Sequence, residues 1–305
     1  MFNFYQNPKS GDPSNLRQEF VPVNMSVLCC RYWWLHRWKC TQMSFPYWRL
    51  YWNKTAGAYV YNEKRINLGP DCLILIPPHT KFSTDIESIA PMPDLAKFEL
   101  VGSRVKNMDE ENVCLKENKI LHLFIHFNLG GQLDNVSNEI FSFKINKDQE
   151  MLIGNIVNNL LTGTELFDVH ISIKVYQLIL SAVNQIPKNK FISRKMDVRM
   201  VSILEFINRG LGGKLTNNSL AGEVNMATNS FTRFFKDQVK MSPQDYIRKE
   251  RIAKACHLLD HSTHTIDEIS EVCGFSDRFH FSKMFKKMKA VSPAEYKKKF
   301  TLSED

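Results

Sequence analysis

The spacing of apolar positions changes partway along the chain. From Phe20 to about Lys144, aromatic and β-branched residues alternate with polar ones between Gly, Pro and Asn. "AYVYNEKRINL" alternates on both sides of Asn62-Glu63 and predicts a hairpin there. "DCLILIPP" reads as a buried strand ended by prolines, and "KFELVGSRV" and "ILHLFIHFNL" as further strands. Short strands at this spacing predict a small β-barrel or sandwich. Beyond Lys144 the period becomes helical. "QEMLIGNIVNNLL" sets Leu152, Ile156 and Leu160 on one face, and "HISIKVYQLILSAVNQI" sets Ile171, Val175, Leu178 and Ala182 on another. "PKNKFISRK", from Pro187, reads as a linker.

The last third repeats itself. "FTRFFKDQVKMSPQDY" from Phe231 and "FSKMFKKMKAVSPAEY" from Phe281 share F-x-x-x-F-K, then S-P, then Tyr. In the first copy Phe231, Phe234, Phe235 and Gln238 cluster on one side of a helical wheel. In the second, Phe281, Met284, Phe285 and Met288 do. The opposite fronts carry Asn229, Thr232, Arg233 and Lys236, then Phe279, Ser282, Lys283 and Lys286. Ser242 and Ser292 suit N-caps, with Pro243 and Pro293 at the first helical position and Asp245 and Glu295 placed for capping boxes. Upstream, Thr216 and Thr265 suit helix starts. Asn225 and Gly274 supply the residue types that best tolerate a left-handed turn. Helix, left-handed turn and second amphipathic helix make a helix-turn-helix, written twice. "DYIRKERIAKACHLLD", with Ile247, Ile252, Ala255 and Leu259 at helical spacing, predicts one rigid helix joining the copies. Such a connector would hold two reading helices about one duplex turn, ~34 Å, apart.

Charge supports a polyanion partner for this third. Residues 194–305 hold 20 Lys+Arg against 14 Asp+Glu, whereas residues 1–193 hold 20 against 18. The seven cysteines include no C-x-x-C pair, which favours reduced thiols over a disulfide frame or a zinc site. No apolar stretch is long enough to span a bilayer and the first twenty residues lack a signal-peptide core, so a cytoplasmic protein is expected.

From about Asp197 to Phe300 the chain resembles the AraC/XylS family of transcription regulators. The resemblance rests on "SLAGEVNMATNSFTRFFK", "RIAKACHLL", "IDEISEVCGFSDRFHFSKMFKK" and "SPAEY". It implies a seven-helix DNA-binding domain over residues 194–305, preceded by a cupin-like β-barrel sensor over 1–147 and a helical dimerisation and linker segment over 148–186. The expected fold class is therefore α+β multidomain. The resemblance places the first reading helix from about Thr228 and the second from about Asp277. Asn229, Thr232, Arg233, Arg278, Phe279, Ser282 and Lys283 are the implied base-facing residues, Lys236 and Lys286 the phosphate contacts, and Thr228 is placed with them on the DNA-binding surface. Phe279 could meet a thymine methyl or fold onto Phe275. Family members usually carry Gly where Lys240 and Ala290 stand here, which implies strain if either is left-handed. Ala227 stands where a capping Ser is usual, so Thr228 is expected to cap.

Function follows from the same residues. The expectation is a nucleoid-associated bacterial regulator, most simply an activator. It would bind an operator in double-stranded DNA as a homodimer, recruit RNA polymerase, answer to a small-molecule effector such as a sugar, and make no membrane contact. Alternatives are a ligand-independent regulator whose barrel serves dimerisation or a protein partner, and a metal-dependent cupin enzyme fused to a DNA-binding domain. The enzyme reading lacks an H-x-H ligand set, a nucleophile with an arranged base and a phosphate loop, so no catalysis, metal or cofactor is expected. His122 and His126 share a strand face, as any alternation produces, and His257, His261 and His264 suit a solvated helix end. All five tryptophans fall between Trp33 and Trp52. Trp33, Trp48, Trp52 and His79 are the candidate effector contacts, beside the simpler role of filling a small barrel.

Overall fold

The computed structural model describes residues 23–86, 98–162, 167–192, 197–289 and 291–300. Nine strands form one antiparallel sheet: β1 (Ser26–Met43), β2 (Trp48–Asn53), β3 (Ala58–Tyr61), β4 (Arg65–Leu68), β5 (Cys72–Ile76), β6 (Phe82–Ile86), β7 (Phe98–Arg104), β8 (Ile120–Asn128) and β9 (Phe141–Lys144). Their order is β4-β3-β6-β1-β8-β2-β5-β9, with β7 also on β1, and the sheet curls into a nearly closed barrel. The hairpin expected at Asn62-Glu63 is the β3–β4 pair, in register from Ala58↔Leu68 to Tyr61↔Arg65. β1 is longer than the sequence pattern suggested. It pairs with β8 through its first half, then with β7, and reaches β6 at Cys40.

Strands β2 and β8 are buried on both faces, and the two faces differ chemically. Leu121, Leu123, Ile125 and Phe127 of β8 join Trp48 and Leu50 of β2 in a core completed by α2 (Lys147–Leu161) and α3 (Val169–Val183). The opposite faces point into the barrel, where Tyr47, Tyr51, Ile74, Ile76 and Phe82 pack around a second core. Full burial of one such side chain contributes ~1.5–3 kcal/mol. Val175, Leu178 and Ala182 of α3 pack into the first core, together with Ile156 and Leu160 of α2, and Ile171 is buried as well. These faces pack within the chain, and the exposed apolar residues of α3 are Val169, Ile173, Tyr176 and Leu180.

One helix escaped the sequence reading. α1 (Met108–Lys116) is capped by Asn107 and has weak amphipathicity, with only Glu111 and Cys114 buried. Glu111 is fixed by the Tyr32 hydroxyl at 2.7 Å and the Lys54 ammonium at 2.9 Å. A buried carboxylate costs free energy unless paired in this way.

The C-terminal region has seven helices among the described residues: α4 (Val198–Arg209), α5 (Asn217–Glu223), α6 (Thr228–Val239), α7 (Pro243–His261), α8 (Ile266–Val272), α9 (Arg278–Lys289) and α10 (Pro293–Phe300). Phe231 and Phe235 of α6 pack with Leu220, Met200, Ile203 and Ile207 in one core. Phe281 and Phe285 of α9 pack with Ile269 and Tyr296 in another. Ile247 of α7 enters the first core, and Ile252, Ala255 and Leu259 enter the second. Met288, expected on the greasy side of α9, is exposed. Ser242 caps α7 with Pro243 in its first turn, and Ser292 and Glu295 exchange hydrogen bonds at the start of α10. Thr265 and Glu268 form a capping box, as do Thr216 and Ser219.

The turns use the left-handed region where the sequence suggested. Asn225 has φ 52° and Gly274 φ 74°. Gly274 is required twice over, since a Cβ there would lie 2.6 Å from the Leu211 carbonyl oxygen. Lys240 closes α6 with φ 64°, a conformation that disfavours a residue carrying Cβ. Ala290 lies outside the described residues.

Two substitutions test these turns by urea unfolding at constant m. Gly274→Ala should lower stability by more than ~1–2 kcal/mol, since backbone strain and a carbonyl clash add. Lys240→Gly should raise it by ~1 kcal/mol, less what the freer unfolded chain gives back. A neutral Gly274→Ala would show that the turn rearranges.

Candidate nucleic-acid interface and barrel cavity

Helices α6 and α9 present their polar fronts because their backs are phenylalanine. With Phe231 and Phe235 buried in one and Phe281 and Phe285 in the other, the 3.6-residue period turns the intervening positions outward. Asn229, Arg233 and Lys236 on α6 are exposed, as are Arg278, Phe279, Lys283 and Lys286 on α9. Thr232 and Ser282 are half-buried between them, and the Thr232 hydroxyl donates to the Thr228 carbonyl at 2.9 Å. Phe279 is 85% exposed, so it does not fold onto Phe275, whose ring meets His280 and Phe281. Arg278 is held by Asp267 of α8 at 2.9 Å, which ties this front to the helix behind it.

The helix starts differ. Asp277 accepts from the His280 amide at 2.7 Å, and that bond is the first cause of its lowered pKa. α6 has Ala227 at its N-cap and no side-chain cap. Thr228 does not replace the cap, because it already lies inside the helix and its hydroxyl donates to Asn218 Oδ1 at 3.2 Å.

The barrel holds a partly open cavity of about 90 Å³. Trp33, Leu35, Trp38 and Cys40 reach it from β1, Arg49 and Tyr51 from β2, and His122, Phe124 and His126 from β8. Arg49 is a buried cation. Its guanidinium donates to the Tyr51 hydroxyl at 2.6 Å and the Tyr47 hydroxyl at 3.0 Å, and it lies 3.4 Å from the centre of the Phe45 ring. His122 Nδ1 is 2.7 Å from Asn53 Oδ1, and the ring stands 4.6 Å from Trp38 and 5.0 Å from Tyr51. Burial, then the charge of Arg49, lowers the His122 pKa from 6.5 to about 3, so this ring is neutral. Burial likewise raises the Cys40 thiol.

Of the expected effector contacts, Trp33 lines this cavity and the other three do not. Trp48 faces α2 and α3, stacks on Phe127 and donates to Asp134 at 2.8 Å. Trp52 lies on that same face and donates to the Pro70 carbonyl at 2.9 Å. His79 is an exposed residue with φ 63°. Partial burial, then the ammonium groups of Lys249 and Lys289, lower its pKa to about 4, which places it beside the helical region. The sequence reading missed Arg49, Trp38 and Tyr51. The available signal was a lone arginine alternating with tyrosines inside "YWRLYWN". His122 and His126, set aside as ordinary alternation, both face the cavity. Among the described residues no group of three potential metal ligands comes together, and no helix is long and apolar enough to cross a membrane.

Comparison with known proteins bears on both regions. Residues 220–299 match the helix-turn-helix domain family. The chain is 26% identical over 170 residues to the HTH-type transcriptional activator RhaR of Mannheimia succiniciproducens, covering 54% of this chain and 60% of that protein. It is 30% identical over 139 residues to the lactose operon transcription activator of Staphylococcus xylosus, covering 45% and 49%. Over 245 residues it is 23% identical to the Msm operon regulatory protein of Streptococcus mutans, covering 79% and 80%. The chain thus spans about half the length of the first two of these relatives. The fold is similar to the crystal structure of ToxT from Vibrio cholerae O395, with a TM-score of 0.50 at 13% identity, over 90% of this chain and 98% of that one.

Two outcomes test this geometry. Ala227→Ser should stabilise α6 by ~1 kcal/mol in urea unfolding by supplying the missing cap; no gain would mean the α6 amides are already satisfied. His122 is neutral when folded and protonates near pH 6.5 when unfolded, so its contribution is complete above that pH and is lost as pH falls toward 3. Stability should therefore drop below pH 6.5 by up to ~1.4 kcal/mol per pH unit from this ring. His79, exposed to screening water, adds less. His122→Phe should flatten the profile, and an unchanged slope would place the titration elsewhere.

Proposed function

We propose that this chain, which carries a helix-turn-helix domain of the AraC type, is a transcription activator that binds operator DNA and answers to a small molecule held in its barrel. The observation that carries the reading is the pair of phenylalanine-backed helices, α6 and α9, on the single continuous helix α7. Two such helices suit two successive major grooves, with α7 as the spacer. Arg233 sits at the middle of the α6 front, where a guanidinium can grip guanine O6 and N7 together. Lys236, one turn further on, meets a phosphate. Asn229 and Thr232 complete the first reading surface, with Thr228 at its edge. Arg278, Phe279, Ser282 and Lys283 form the second, with Lys286 on the backbone. Exposed Phe279 is suited to a thymine methyl rather than to its own core.

The remaining parts of the reading follow from surfaces. The exposed apolar stripe Val169, Ile173, Tyr176 and Leu180 on α3 suits a homodimer contact, supporting binding to a repeated operator. The barrel, with its partly open, largely aromatic cavity, suits an effector. The regulator would act in the bacterial cytoplasm on the nucleoid and recruit RNA polymerase. The relatives named above as activators support the sign of regulation.

Binding isotherms over a salt series test the DNA half. Using a duplex selected from a random pool and its scrambled counterpart, Arg233→Ala should cost ~1–3 kcal/mol on the selected duplex and relax preference at one base position. Lys236→Ala should weaken both duplexes alike and reduce the log-affinity against log-salt slope by about one. Equal losses on both duplexes for Arg233→Ala would remove it as a base reader, and failure to select any duplex would remove the reading itself.

A further inference from the structure

The two phenylalanine-backed helices differ in chemistry at one matched position. Two residues before the first buried phenylalanine of each, α6 carries Asn229 and α9 carries Phe279. Asparagine offers a base edge both a donor and an acceptor, and phenylalanine offers neither. A lone exposed apolar side chain is ordinary on a protein surface. Phe279, however, stands in one row with Ser282, Lys283 and Lys286, which is the front of the helix. Its ring is 85% exposed, more than any other large apolar side chain among the described residues. Its neighbours in the first turn point elsewhere. Arg278 donates to Asp267 of α8 at 2.9 Å. The Nδ1 atom of His280 lies 3.2 Å from the Ser276 hydroxyl, and its ring meets that of Phe275. Asp277 accepts from the His280 amide at 2.7 Å and fixes this turn, while buried Phe281 and Phe285 anchor the helix from behind. The N-terminal turn is the part of such a helix that meets base edges. In α9 it presents a carbon ring.

We infer that α9 selects base pairs through the C5-methyl group of a pyrimidine, with Phe279 as the reader, so that thymine and 5-methylcytosine are equivalent to it. In the major groove the base edges present hydrogen-bonding groups, and the thymine methyl is their one apolar feature. A methyl on C5 of cytosine takes the corresponding place on a C·G pair. Phe279 has no polar atom with which to tell the two apart. Lys283, one turn on, is a donor for acceptors that either pair carries, the O4 of thymine or the O6 and N7 of guanine. The two units thus divide the reading. α6 reads by hydrogen bonds through Asn229 and Arg233, and α9 reads by methyl contact, which makes the second half-site sensitive to cytosine C5 methylation. This deepens the DNA half of the proposed function and rests on it. It is independent of any effector in the barrel.

The experiment uses the full chain and a duplex selected from a random pool. Each thymine of that duplex is replaced in turn by deoxyuridine, which removes only the methyl. At a sensitive position the T·A pair is also replaced by C·G and by 5-methylcytosine·G. The expected result is that deoxyuridine weakens binding about fourfold at one or two thymines, the loss from exposing one such carbon. At the same place 5-methylcytosine should bind about fourfold more tightly than cytosine. Phe279→Ala should erase both differences. Phe279→Leu, still apolar, should keep the preference for the methylated pyrimidine in reduced form. Arg233→Ala should keep it in full while weakening the selected duplex. Phe279 lies outside both helical cores, so its replacement leaves Phe281 and Phe285 packed. The inference is overturned if no thymine responds to deoxyuridine, or if the response survives Phe279→Ala. It is equally overturned if Phe279→Ala weakens the thymine and deoxyuridine duplexes alike, the behaviour of a ring wedged between bases or resting on the backbone. In each of those cases a selected duplex that still depends on Arg233 leaves the regulator reading standing. Failure to select any duplex would remove that reading, and this inference with it.

Discussion

One helix serves two hydrophobic cores, and the paired architecture of the C-terminal region depends on it. Ile247 and Ile252 of α7 lie five residues apart, so at ~100° per residue they leave the helix on different sides. The first joins Phe231 and Phe235, the second Phe281 and Phe285. Across its nineteen residues, ~28 Å of rigid rod, α7 fixes where α6 and α9 stand. Arg251 on the same helix donates to the Leu211 carbonyl at 2.9 Å and the Gly213 carbonyl at 2.6 Å, fastening the loop ahead of α5. Gly274 packs against that same Leu211 carbonyl, so the turn of the second unit and the entry to the first share one crowded point.

The barrel rests on a different constraint, the burial of β2 and β8 on both faces. A strand covered by helices on one side and closed into a barrel on the other has no solvent face for its polar residues. Any polar residue on the inner side must find partners inside. Arg49 finds Tyr47 and Tyr51, His122 finds Asn53, and the space left among them is the cavity. β1 belongs to this wall and also to the contact with the helices. Arg31 lines the cavity, and three residues earlier the Leu28 backbone is a hydrogen-bond partner of His257 on α7. One strand therefore touches both the cavity and the helix that spaces α6 and α9, and so joins the two regions physically.

Much of the helical region was legible because its signals are local. A helical stripe, a Ser-Pro cap, and an Asn or Gly at a left-handed turn each involve residues within a few positions, and writing them twice made each copy a check on the other. Lys240 was open to a left-handed conformation only through the family resemblance, in which Gly usually stands there, and it has φ 64°. The cap of α6 was not legible. Whether Thr228 caps depends on where the backbone enters the helix and on Asn218, ten residues back.

In the barrel region the sequence alone determined that there would be strands, a hairpin at Asn62-Glu63 and two amphipathic helices, but not that the helices would cover the barrel. Alternation even set Arg49 with Tyr47 and Tyr51, and His122 with His126, on common faces. What only the tertiary structure decided was which face turned inward. Both faces of β2 and β8 are rich in aromatic or aliphatic residues, so the pattern could not say which would meet α2 and α3. Closure of the sheet made that choice. It sent Trp48 and Trp52 to the helices, left Trp33 and Trp38 on the cavity wall, and put a buried cation among aromatic rings.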